Sequence, residues 1–277
     1  MSEEQKTGCS PSDCAGCSHA GSCGSKPQSL VKPANAKSHI NHVIAVVSGK
    51  GGVGKSMVTA SLARLMKEQG FSVGIMDADI TGPSIPKMYG IHEKAKGDGE
   101  NIYPCEAKDG TKIMSINLLL PEEEDPVIWR GPVISGVVTQ FWTDVAWGEL
   151  DYLFVDMPPG TGDVPLTVFQ SLPVEGIVIV TSPQDLVCMI VKKAYNMAGQ
   201  MDIPVLGIVE NYSYLVCPDC GRKISVFGES HIDEVAAELG VPVIGKMPID
   251  ASLAEAVENE NFAEVSNDYL ADAVNKL

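Results

Sequence analysis

Three groups of residues have the types and spacing to do chemistry. The first is Gly49-Lys50-Gly51-Gly52-Val53-Gly54-Lys55-Ser56, which satisfies the pattern G-x-x-x-x-G-K-[ST]. Glycines let successive backbone N–H groups turn inward on a polyphosphate with no Cβ in the way. A helix opening at about Val53 would add a favourable dipole. Lys55 is expected to reach the outer phosphates and the Ser56 hydroxyl to ligate Mg2+. The second group is carboxylates at the ends of apolar runs: Asp156 after 152–155, and Asp77 and Asp79 after 72–76. Asp156 is placed to hold Mg2+ through a water, and Asp77 to support the same ion. Asp77 and Asp79 could instead cap a helix at a strand end.

The third group is thiols. Eight cysteines occur, at 9, 14, 17, 23, 105, 188, 217 and 220. Clusters of this kind in a chain expected to be cytosolic point to metal or redox chemistry rather than a disulfide framework. Cys217-Pro218-Asp219-Cys220 supplies two thiolates, whereas a tetrahedral S4 site for zinc or an iron–sulfur cluster needs four. A two-fold axis would bring Cys217 and Cys220 together with their copies, so the count closes in a homodimer. A redox dithiol is the rival reading, but Pro218-Asp219 followed by Gly221 reads as a turn, not as the start of a helix. Cys9-x4-Cys14-x2-Cys17-x5-Cys23 can wrap one metal centre within a single chain, with zinc and [4Fe–4S] not separable by spacing. Cys188 reads as core and Cys105 as an incidental thiol.

The elements that must position these groups are legible in outline. Residues 1–40 are rich in Ser, Gly, Ala, Lys and Pro and read as a flexible cysteine-bearing extension and linker. The ATPase domain is expected over 41–277. Short runs rich in Val and Ile at 43–47, 72–76, 152–155, 176–181, 205–209 and 241–244 suit strands covered on both faces. Val58, Leu62, Leu65 and Met66 keep helical spacing, with Gly70 at the expected left-handed C-cap. Helical patterns also fall on 134–146, 186–200, 232–239 and 252–258, while 97–110 reads as a polar surface excursion. The alternation predicts an α/β fold: one doubly wound, mostly parallel sheet with helices on both faces.

Composition narrows the function. Of 277 residues, 44% are hydrophobic and 20% charged, enough to bury a core. Twenty Lys and Arg against 36 Asp and Glu give a formal charge of −16, which argues against nucleic acid or an anionic membrane as partner. No run of about 18 apolar residues is present, so a cytoplasmic protein is expected. Without an N-K-x-D or T-K-x-D run to read guanine, ATP is favoured over GTP. Asn211 and Pro248 follow later strands, where a base would sit above the sheet edge.

Lys50, a second lysine at the start of the loop, makes GKGGVGKS similar to the deviant Walker A (SIMIBI-type) group of P-loop ATPases. That resemblance implies that Lys50 reaches across a dimer interface to the partner's nucleotide. It also implies that Asp79 orients the attacking water and that 157–163 is a switch loop. DADITGPSIP at 77–86, VDMPPGTGD at 155–163, TSPQ at 181–184 and CPDC at 217–220 further resemble the Mrp/ApbC family of iron–sulfur carrier ATPases. The cysteine-rich N-terminus resembles its Nbp-type branch, sharing C-x2-C-x5-C at Cys14, Cys17 and Cys23, with a shorter gap from Cys9. The resemblance implies a slow ATP hydrolase that bridges a labile [4Fe–4S] cluster between two copies through CPDC. It would carry a second cluster on each extension, receive clusters from a donor and pass them to apo-proteins. An ATP-driven reductase with a bridging cluster and a zinc- or metal-insertion ATPase share most of these motifs. A partitioning ATPase would leave CPDC unexplained.

Overall fold

The computed structural model describes residues 30–80, 82–122, 129, 131–183 and 187–277, with the side chains of 187 and 188 excepted. The cysteines at 9, 14, 17 and 23, and the Cys188 side chain, lie outside the described residues. The chain from Val31 to Leu277 forms one compact unit.

Its elements run β1 (Ser38–Ser48), α1 (Lys55–Glu68), β2 (Val73–Asp77), α2 (Ile85–Met88), β3 (Lys96–Gly97), β4 (Ile102–Tyr103), β5 (Cys105–Glu106), β6 (Lys112–Met114) and α3 (Gly131–Thr143). They continue with β7 (Gly148–Asp156), α4 (Asp163–Ser171), β8 (Gly176–Thr181), α5 (Val187–Gln200), β9 (Val205–Val216), β10 (Lys223–Ile224), α6 (Ile232–Leu239), β11 (Val243–Ile249), α7 (Ala251–Glu258) and α8 (Ala271–Val274). The main sheet has the order β10-β9-β8-β1-β7-β2-β6-β5, and β11 also pairs with β9. Strands β6, β2, β7, β1, β8, β9 and β11 are parallel to their neighbours, and β5 and β10 are antiparallel.

The unbroken apolar runs have the cause expected of them. Along β1, Val43, Ala45 and Val47 enter one core while Ile44 and Val46 enter the other. The first core is closed by α3, α4, α5 and α6 through Val138, Phe141, Val168, Val191 and Val235. The second is closed by α1, α7 and α8 through Val58, Leu62, Leu65, Leu253 and Ala273. Burial on both faces leaves no position for polar alternation. Gly70 follows α1 at φ 94, as its place predicted.

The elements depart from the sequence reading at several margins. Strand β1 begins at Ser38, ahead of the apolar run, because its polar half pairs with Gly148–Tyr152 at the sheet's end. Residues 31–40, read as linker, are fastened to the body. Lys32 N–H donates to Ser171 O (2.8 Å), and the Trp142 indole donates to Lys32 O (2.9 Å). The excursion at 97–110 is not all surface: Cys105 and Ala107 are buried, and β5 extends the sheet edge. Strand β11 continues beyond Ile244 through Pro248, which is tolerated at a sheet edge.

Candidate functional site

The carboxyl ends of β1, β2 and β7 converge on one crevice, the place where open parallel sheets bind ligands. Residues 49–54 form its floor between β1 and α1. The helix opens at Lys55 rather than Val53, because Gly54 sits in the left-handed region at φ 75. A Cβ on Gly54 would also lie 2.2 Å from the Asn211 amide nitrogen. Gly49 has no such φ, but a Cβ there would come within 2.0 Å of Ile190 Cγ2. The resulting cleft of 280 Å3 is lined by Lys50, Gly51, Gly52, Val53, Gly54, Lys55 and Ser56, and by Asp79, Ser84, Met88, Pro159 and Val257 opposite.

Asp156 is the hub beneath this floor. It is fully buried, with Lys55 Nζ 2.8 Å from its Oδ1 and Asp79 Oδ2 4.0 Å from the same lysine. Ser56 Oγ–H donates to Asp156 Oδ2 at 2.5 Å, and Thr59 Oγ–H donates to Asp156 Oδ1 at 2.7 Å. Lysine, serine and threonine come from one turn of α1, so the helix delivers all three to a single carboxylate. The loop that follows Asp156 is anchored to β1 by Met157 N–H on Val46 O (3.1 Å) and Gly160 N–H on Ser48 O (2.8 Å).

Of the two carboxylates ending β2, only Asp79 lines the cleft. Asp77 turns inward. It accepts from Asp79 N–H (3.2 Å), Ile85 N–H (3.4 Å) and the Ser115 hydroxyl (3.2 Å). Burial pushes its pKa up to about 8, the Asp156 and Asp79 charges add to the rise, and Lys55 opposes it. Asp77 thus organises the β2 loop and does not itself line the cleft, where the sequence placed it as a magnesium support.

Asn211 and Pro248, the two residues expected around the base, do not line this cleft. Asn211 is fully buried behind the loop, with its amide donating to Val53 O (3.0 Å). Pro248 is buried in β11 opposite Tyr214.

A magnesium ion fits the donor set at Ser56 and Asp156, which is all oxygen and carries one net carboxylate charge. Bound there, such an ion would help neutralise the charge of a polyphosphate. Thr59 was missed from the sequence, although its spacing from Ser56 places it on the same helix face.

The thiols lie on a separate feature. Strand β9 runs on past the sheet to Val216, turns through Cys217-Pro218-Asp219-Cys220 and returns as β10. Cys217 N–H donates to Arg222 O, and Gly221 N–H, at φ 68, donates to Cys217 O, both at 2.9 Å. The turn aims backbone N–H groups of Cys220 and Asp219 at the Cys217 sulfur. These, with the Cys220 thiol, hold its pKa below the ordinary value of 9.0. Cys220 is exposed and Cys217 partly so. In and just after the hairpin Leu215, Val216, Ile224, Val226 and Phe227 are 36% to 50% exposed. Among the described residues no group of three or more His, Cys, Asp or Glu is placed to hold a metal ion. Cys105 is buried, and burial raises its pKa.

This sheet, loop and lysine–carboxylate knot define a P-loop nucleotide-binding protein. MinD from Pyrococcus furiosus shares the fold at 19% identity, with a TM-score of 0.60 over 85% of this chain and 98% of that one. Residues 39–277 match the model of the NUBPL iron-transfer P-loop NTPases, and the chain belongs to that family. It is 46% identical over 266 residues to an iron-sulfur cluster carrier protein of Clostridium perfringens, spanning 91% of this chain and 93% of the relative. It is 49% identical to one from Methanocaldococcus jannaschii over 79% of this chain and 76% of the relative. A nucleotide-binding protein from Archaeoglobus fulgidus, solved in complex with ADP, is 44% identical. Its TM-score is 0.75, covering 83% of this chain and 90% of that one.

Proposed function

We propose that this protein is an ATP-dependent carrier that holds a labile [4Fe–4S] cluster between two copies and transfers it to apo-proteins. The observation that carries the reading is the incomplete thiol site. Two cysteines stand at the tip of a hairpin whose strands and continuation expose apolar side chains, with no group of three or more metal ligands among the described residues. A second copy across a two-fold axis supplies the missing pair and covers the apolar side chains. The carrier names of relatives at 46% and 49% identity support iron–sulfur cargo over zinc. Cys9, Cys14, Cys17 and Cys23 would hold a further cluster on each extension, received from or shared with a donor.

Hydrolysis follows from the cleft. Lys55, held over Asp156, is placed to neutralise the outer phosphates, and Ser56 with Asp156 to hold magnesium. Asp79, at the cleft wall 4.0 Å from the lysine, would orient the attacking water. Lys50, at the rim, would reach the nucleotide of the partner and make turnover depend on the dimer. No nucleic acid or membrane enters the scheme.

The experiment is cluster transfer from Lys55→Gln, which keeps a donor over Asp156 while removing the charge that binds phosphate. Reconstituted variant should hold its cluster yet fail to deliver it to an apo [4Fe–4S] acceptor with MgATP. Delivery at the wild-type rate would overturn the coupling.

A further inference from the structure

We infer that Glu210, with Asn211 and Tyr212, is the junction through which the nucleotide loop sets the geometry of the cysteine hairpin. Strand β9 pairs with β8 up to Glu210 opposite Thr181. On its other side Glu210 faces Lys246, and pairing resumes only at Tyr214 opposite Pro248. Residues 211–213 are therefore a bulge between the sheet and the hairpin. Tyr212 sits within it at φ 59, a left-handed conformation that is unfavourable for a non-glycine residue and persists only where its surroundings enforce it.

Both sides of this bulge are gripped. On the nucleotide side, Asn211 donates to Val53 O at 3.0 Å, and its Oδ1 accepts from Tyr212 N–H at 2.9 Å. The Tyr212 hydroxyl packs so close to Gly54 that a Cβ there would lie 2.9 Å from it. On the cysteine side, the fully buried Glu210 carboxylate accepts from Ser213 Oγ at 2.5 Å and from Ser230 Oγ. Ser213 and Ser230 bracket the excursion that carries Cys217 and Cys220. One carboxylate thus ties together the two roots of the hairpin. Ser230 Oγ in turn accepts from Ile232 N–H (3.2 Å) at the start of α6.

The consequence is mechanical. A phosphate that draws the backbone of Val53 and Gly54 moves the acceptor of Asn211 and the surface under Tyr212. The bulge has no ladder to absorb that shift, and Glu210 passes it to both hairpin roots. Coupling of this kind is reciprocal: whatever nucleotide does to the thiols, occupancy of the thiols does to nucleotide affinity. The inference rests on the carrier reading for the purpose of the hairpin, but not for its test, which uses protein without cargo.

The test is alkylation of Cys217 and Cys220 by iodoacetamide in the full cargo-free chain, followed by peptide mass spectrometry, with and without a non-hydrolysable ATP analogue and Mg2+. In the wild type the nucleotide should change the rate by about fivefold or more, the lower end of ordinary coupling energies. Glu210→Gln should bind the analogue with wild-type affinity yet show no nucleotide effect on the thiols. Alkylated wild type should show shifted analogue affinity, and alkylated Glu210→Gln should not, a difference that mere loosening of the fold would not produce. Ser230→Ala, which frees one root only, carries the same expectation should Glu210→Gln fail to fold. No nucleotide effect in the wild type, or a retained effect in the foldable variant, would overturn the junction. Neither result bears on whether the cargo is an iron–sulfur cluster.

Discussion

Asp156 gathers Lys55, Ser56 and Thr59 within 2.8 Å, so the charge that anchors the phosphate lysine is fixed by two hydroxyls from the same helix turn. Thr59→Val removes one donor from a buried carboxylate, a loss of about 1–2 kcal/mol of stability. It should also raise the Mg2+ concentration needed for half-maximal ATP turnover, measured by titration; an unchanged requirement would remove Thr59 from the site. Gly54→Ala meets both a left-handed backbone and the Asn211 amide. The variant is expected to lose nucleotide binding by calorimetry while Gly199→Ala, near the end of α5 with open space around it and no positive φ, keeps binding. At this scale the motif residues were legible because a polyphosphate demands glycine, lysine and hydroxyl in one order. Asp77 was not, because spacing reports only which strand end a carboxylate occupies, and the turn from Asp77 to Asp79 decides which one faces the cleft. Asn211 was found, but its burial against Val53 follows from the β9 bulge, which local sequence does not reveal.

Strands buried on both faces were readable as apolar runs, and their lengths were not. Strands β1 and β7 extend where polar side chains pair outside the core and hydrophobicity is silent, whereas β9 and β11 extend through buried Glu210, Asn211 and Pro248, residue types that do not read as strand interior. The entry to β7 illustrates such a margin. Asp151 accepts from Ser72 N–H and Ser72 Oγ–H, both at 2.8 Å, linking β7 to the start of β2. Those bonds hold its pKa below the ordinary value of 3.8. A depressed carboxylate contributes stability that is present above the unfolded value and lost as pH falls through the folded one. Asp151→Asn should therefore lower the melting temperature at pH 7, and the gap from wild type should close as the pH is taken below 3.8. A gap that stays constant with pH would contradict this role. The short β3–β4 and β5–β6 pairings were missed because two- and three-residue strands lack any period to read.

The whole molecule places a nucleotide cleft and a thiol hairpin on one chain, joined by β9. Its net charge is −16, and among the described residues no helix is long and apolar enough to cross a membrane. The exposed apolar residues in and just after the hairpin that carries Cys217 and Cys220 are a surface that needs covering. Phe227→Asp should weaken self-association of cluster-loaded protein by about tenfold or more, read by light scattering, with nucleotide binding by the separate chain retained. Equal association would move the seam elsewhere. That Cys217 and Cys220 fall two thiols short of an S4 site was countable in the sequence, whereas the exposure of Leu215, Val216, Ile224, Val226 and Phe227 was not, since they are ordinary hydrophobes until the fold holds them out of the core. A cluster shared between two copies is best probed by iron, zinc and acid-labile sulfide analysis of the anaerobically reconstituted protein, comparing wild type with Cys217→Ala/Cys220→Ala. The double variant should lose about four iron and four sulfide per two chains, with the remainder kept on the extensions. Stoichiometric zinc without sulfide, or iron content untouched by the two substitutions, would contradict it.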